Sequence, residues 1–181
     1  FFADPGGIRD STAALQRAVD FARWHYLAVW IPVGNYRISD TIVAKQTTRT
    51  MMTGDIPGEL AHGFTRDFLL DGVSSRYVAH YIRGEVKSND GRATIFLPSF
   101  SVGFTNASSP KACIDMRYIN PLGQEEPNAQ YNTNIVGVKI TVGIGNAGAV
   151  GLRLRAAQGS GAEDVEIIFE GGNQPNAGLA G

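Results

Sequence analysis

Between residues 134 and 181 the chain runs twice through the same order of apolar and polar positions, at a fixed offset of 27 residues. VKITV recurs as VEIIF, and each alternating stretch leads through a Gly/Asn-rich corner to a second short apolar stretch, AVGL and then NAGL. Val138 recurs as Val165, Ile140 as Ile167, Asn146 as Asn173, Gly151 as Gly178 and Leu152 as Leu179. A unit this short cannot bury its own apolar face, so it must stack on its neighbours as a solenoid. Strands of about five residues, glycine corners and no helical segment within the unit predict an all-β, right-handed parallel β-helix. Val138, Ile140, Leu152, Leu154, Val165 and Ile167 are its expected inward stack.

Upstream the periodicity changes. Residues 10–25 (DSTAALQRAVDFARWH) place Leu15, Ala18, Val19 and Ala22 on one helical face, opposite Gln16, Arg17, Asp20 and Arg23. Asp10 or Ser11 is the expected N-terminal cap. The strand-like stretches LAVWI and YRISDTIV follow, on either side of a turn at Pro32 to Asn35. A helix at the first coil covers an edge that would otherwise pair with other chains, so this helix is expected to be a capping helix. YVAHYIRGE, ATIFLPS and ACIDMRY continue the strand pattern. Two irregular excursions, 45–75 and 117–133, interrupt a single domain spanning 1–181, whose regular coils occupy 134–181.

Composition narrows the partners. A net charge of −1 gives no basic footprint for nucleic acid, and no apolar run approaches the ~18 residues of a membrane span. The one cysteine, Cys113, sits at an apolar position and excludes an internal disulfide or a cysteine-based zinc site. The 22 glycines exceed the average of roughly 7% and suit a fold with many corners. The repeat stops shortly after its second copy begins its AGL stretch, so the chain reads as the N-terminal part of a longer protein. Its last coil is then expected to be covered by the rest of the parent chain or by another subunit.

Stacking assigns chemistry to outward positions. Lys139 falls over Glu166 and Thr141 over Ile168, and Arg153 and Arg155 project from the second strand of the same coil. Lys139, Glu166, Arg153 and Arg155 are the candidate substrate-binding residues, since guanidinium groups hold carboxylates well and suit an acidic polysaccharide. A simple cross-strand pair and a solvated sheet face are the plainer readings of the same residues. Asn146 and Asn173 are expected to form a structural asparagine ladder. In the first excursion Asp55, Glu59, Asp67 and Asp71, with His62 among them, offer carboxylates for glycoside cleavage, but a loop sequence does not fix their separation. Glu125 and Glu126 are expected to be solvated. His25, His62 and His80 share no ligand spacing, and no cofactor is expected; calcium has carboxylates and carbonyls available but no motif. Tyr36, Tyr118, Tyr131 and Trp24 are candidate sugar platforms, and Trp30 and Phe169 are expected to be buried.

The opening DSTAALQRAVDFA with VWIPVGNYRISDTI resembles the N-terminal motif of the pectate lyase superfamily and the related glycoside hydrolase family 55 β-helices. IRGEVKSNDGRATIFLP and NIVGVKITVGIGNAGAVGLRLRAAQGSGAEDVEI resemble later coils of the same proteins. ADPGGIRD stands where those proteins usually carry Gly-Asp-Gly. The resemblance implies a secreted or cell-surface carbohydrate-active protein acting on a polysaccharide as hydrolase or lyase, with catalytic residues on later coils. A non-catalytic rod in a surface appendage or tailspike-like assembly is the alternative. Carboxylate pairs or basic clusters on the coils after Gly181 would distinguish the first from the second.

Overall fold

The computed structural model describes residues 1–25, 27–44, 81–87, 91–118, 124–125 and 131–171, with the Trp24 side chain left out. Among the described residues one helix, α1 (Thr12–His25), precedes eleven strands: β1 (Val29–Ile31), β2 (Gly34–Arg37), β3 (Ile42–Val43), β4 (Tyr81–Gly84), β5 (Ala93–Leu97), β6 (Lys111–Arg117), β7 (Asn134–Val136), β8 (Val138–Val142), β9 (Ala149–Arg155), β10 (Gly161–Glu163) and β11 (Glu166–Phe169). They form three sheets: β1-β4-β7-β10 (sheet I), β2-β5-β8-β11 (sheet II) and β3-β6-β9 (sheet III). Every pairing between these strands is parallel. Each turn of the chain visits the sheets in that order, which is a parallel β-helix.

The repeat of 27 is read directly in the register: Glu166 pairs with Lys139, Ile167 with Ile140 and Ala162 with Ile135. Inward positions stack in rows, Tyr36, Ile95, Ile140 and Ile167 along sheet II and Ile42, Ile114 and Leu152 along sheet III. Val138 and Ile140 are fully buried, whereas Leu152, Leu154, Val165 and Ile167 pack against the core only half-buried. The expected uniform burial therefore fails toward the last coil. Among the described residues, strands β9, β10 and β11 each have a neighbour on one side only, and the inward positions there are correspondingly less covered.

At the other end the sheet edges are covered by named groups. The Gln16 side chain donates to Val43 O at 2.9 Å and accepts from Val43 N at 2.8 Å, taking the place of a strand beside β3. Asn35 N donates to Pro5 O at 2.8 Å beside β2. Ser11 precedes α1 as its cap residue, its carbonyl accepting from Leu15 N; Asp10 Oδ1 accepts from Thr12 N, and the Ser11 hydroxyl accepts from Asp4 N. The Asp4 carboxylate accepts from the backbone of Arg9, Gly6 and Ile8, which holds its pKa below the usual value. A helix that mates its polar side chains to open backbone is a working cap.

The corner from sheet I to sheet II is a single residue between β7 and β8 and two residues between β10 and β11. Gly137 fills the first at φ 67°, and a side chain there would press on Gly84 O at 2.9 Å. One coil later Asp164 adopts φ 50°, a conformation Asp tolerates better than most residues, with its carboxylate on Arg92 at 2.8 Å. At the corner from sheet II to sheet III, Asn146 is fully buried and bonds Pro98 O, Gly143 O and Ser101 N at 2.7, 2.8 and 2.7 Å. Its role there is structural; the ladder expected with Asn173 falls on a residue outside the described ones. Cys113 is fully buried, and desolvation pushes its thiol up to about 12, so it is inert at neutral pH.

Candidate functional site

The four candidate residues fall on two different sheets. Lys139 and Glu166 face outward from sheet II, stacked in register with Nζ 3.4 Å from Oε2. With Arg92 and Asp164 they line a shallow recess of about 460 Å³. Each cation there has its own carboxylate, so the recess is electrically balanced. The outward row continues through Thr94 to Asn35, and the next holds Arg37, Phe96, Thr141 and Ile168.

Arg153 and Arg155 face outward from sheet III, where stacking produces the opposite result. Arg153 lies in register with Asp115, but Arg155 lies in register with Arg117. Like charges directly opposite one another are destabilising in a sheet. Glu125, from the 117–133 excursion, meets both: Oε2 is 3.0 Å from Arg117 Nη1 and Oε1 is 2.9 Å from Arg155 Nη1. Arg117 also grips Asp115 through Nε and Nη2, at 2.6 and 2.5 Å, in a bidentate fork. This bond to Asp115 is the main reason the Arg117 pKa is raised further, so the guanidinium stays charged. Arg153 completes the group, 3.8 Å from Asp115 and donating to Pro110 O at 3.2 Å.

Among the described residues three guanidinium groups thus face two carboxylates, one positive charge more than negative. Asp115 is only 8% exposed, whereas the Arg155 side chain is 60% exposed. The Arg155–Glu125 approach is close but off the line of a hydrogen bond, and Glu125 Oε1 is an unfilled acceptor. The cluster can therefore offer a ligand carboxylate the exposed Arg155 guanidinium. Both long excursions leave the coil after strands of sheet III, β3 and β6, and loops carried on a rigid scaffold are where binding groups concentrate.

Several expectations need correction. Glu125 is held between two arginines rather than solvated. Tyr36 is no platform, because it points into the core and donates its hydroxyl to Pro32 O at 3.1 Å; Tyr118 is also buried. Trp30 is 55% exposed rather than buried, since Val29 and Ile31 take the inner face and period-two alternation forces their neighbour outward. Phe169 is half-buried against the core and Tyr131 is half-buried. Asp55, Glu59, His62, Asp67, Asp71 and His80 lie outside the described residues, as do Glu126 and the Trp24 side chain. Asp115 and Arg117 were not singled out by sequence, although IDMR alternates in phase with GLRLR, and aligning Ile114 with Leu152 pairs them with Arg153 and Arg155.

The family model described as rhamnogalacturonase A/epimerase, pectate lyase-like, matches residues 1–178. No curated protein and no solved structure matches the chain.

Proposed function

The chain belongs to the rhamnogalacturonase A/epimerase, pectate lyase-like family, and from that premise we propose that it is a secreted or cell-surface β-helix acting on a carboxylated polysaccharide bound across sheet III. The observation that carries this reading is the like-charge stack of Arg117 on Arg155, kept together by Glu125, with one more guanidinium than carboxylate among the described residues. A purely structural face has no need of a stack that repels; a face that receives carboxylates does. Arg155 and Arg153 bind the sugar carboxylate, and Glu125 with Asp115 and Arg117 holds the group in place. Lys139 and Glu166, neutralised by each other, contribute at most peripheral contacts.

Titration calorimetry of the chain with an oligogalacturonate and with its carboxyl-reduced counterpart tests this. The acidic oligomer binds more tightly, its affinity falls with added salt, and Arg153→Ala with Arg155→Ala narrows the gap between the two. Equal affinities would contradict the reading. Reducing-end and unsaturated-product assays then separate hydrolysis from elimination.

A further inference from the structure

The outer face of sheet I holds a group of side chains that neither the core nor the sheet III cluster uses. Val29 and Ile31 point inward, so Trp30 stands outward on β1, in register with Arg83 on β4. Tyr81, two residues before Arg83, emerges on the same side and is also exposed. Adjacent strands are ~4.8 Å apart and alternate residues ~6.6 Å apart. Trp30, Arg83 and Tyr81 therefore sit within reach of a single sugar ring.

Their bonding state is as telling as their position. Among the described residues Arg83 has no ion-pair or hydrogen-bond partner. The nearest outward carboxylate on its own segment, Glu85, is committed to Val33 N at 2.8 Å and lies 4.0 Å from Lys87. Beyond Arg83 the row continues through Val136 to Glu163, ~10 Å away across two strand spacings. A large aromatic, an uncommitted guanidinium and a second aromatic on a rigid parallel sheet form a surface that exposed structural strands do not require. Trp, Tyr and Arg are the residues that dominate binding surfaces. Asn134, in register with Tyr81, adds an amide whose nitrogen is fixed by Asn132 O and Gly159 O, both at 3.1 Å, leaving its oxygen turned to other donors.

We propose that Trp30, Tyr81 and Arg83 form a second glycan-binding site, on sheet I, which holds a carboxylated sugar ring stacked on Trp30 with its carboxylate on Arg83. Here the aromatic face supplies stacking and the guanidinium selects the anion. Sheets I and III are different faces of the solenoid, so this site anchors the polymer away from the Arg155 cluster. The inference rests on the polysaccharide reading above and extends it to a separate surface.

The test follows the indole N–H signals of the two tryptophans in nitrogen-labelled full chain as a short oligogalacturonate is added, with Trp30→Ala identifying the Trp30 signal. That signal shifts saturably, and it still does so in the Arg153→Ala/Arg155→Ala protein. In that background Trp30→Ala weakens binding about tenfold or more, and Arg83→Gln removes the preference over the carboxyl-reduced oligomer. Circular dichroism confirms that these exposed-residue variants fold. A Trp30 signal that stays fixed while the Arg155 guanidinium signal moves would overturn the sheet I site and leave the sheet III reading standing. If neither moves and calorimetry shows no glycan binding, both fall.

Discussion

Sheets II and III are built by the same rule and carry opposite electrostatics. In each, an outward residue lies in register with its equivalent one coil away. On sheet II this brings Lys139 to Glu166, a partly exposed pair that closes its own charge. On sheet III it brings Arg117 to Arg155, and closure requires a carboxylate from outside the sheet. Stacking alone therefore does not make a site. A stack that needs an excursion to hold it together is a different kind of surface from one that is complete in itself.

The largest expected effect separates the two faces by stability. Asp115→Ala leaves the Arg117 fork without its most buried partner and should cost about 3 kcal/mol in urea unfolding, whereas Glu166→Ala should cost under about 1 kcal/mol. Similar losses at both sites would break the comparison. Glu125→Ala should come next, at roughly 1 to 2 kcal/mol, because it exposes the Arg117–Arg155 repulsion. Adding Arg155→Ala should recover part of that loss, and a double-mutant cycle showing no coupling would contradict the bridging role. On sheet II, a Lys139→Ala/Glu166→Ala cycle should give a coupling of only about 0.2 to 1 kcal/mol.

The smallest effect is acid sensitivity where β3 and β6 begin. A hydrogen bond from Lys111, above all, holds the Asp40 carboxyl below its usual 3.8. A depressed folded-state pKa contributes stability that is present above about 3.8 and is lost as pH falls through the folded value. Lys111→Met should flatten that part of the acid limb, measured by thermal unfolding between pH 5 and 2. An unchanged acid limb would assign the loss to other carboxylates.

The fold was legible because the last two coils are nearly free of insertions. With Val138 and Val165, Ile140 and Ile167 in fixed phase, the sequence already contains the register that pairs Lys139 with Glu166. The capping helix was legible from its apolar face, but the Gln16 amide that pairs with Val43 was not, since the partner lies across the fold. The site was only half legible for the same reason. Arg153 and Arg155 stood out within one coil, while Asp115 and Arg117 are separated from them by the 117–133 excursion, which hides the stacking phase. Glu125 belongs to no strand, and no periodicity could attach it to two arginines. Trp30 lies outward because Val29 and Ile31 take the inner face of β1, so the alternation that suggested burial places it one step out of the core phase.

The account's central claim is that sheet III, and not sheet II, receives the carboxylates of a polysaccharide. Following side-chain nitrogen signals of labelled protein during oligogalacturonate addition tests it most directly. The claim predicts saturable shifts of the Arg153 and Arg155 guanidinium signals, lost on Glu125→Ala or at high salt, with the Lys139 ammonium signal nearly still. Shifts at Lys139 with Arg153 and Arg155 unmoved would contradict it.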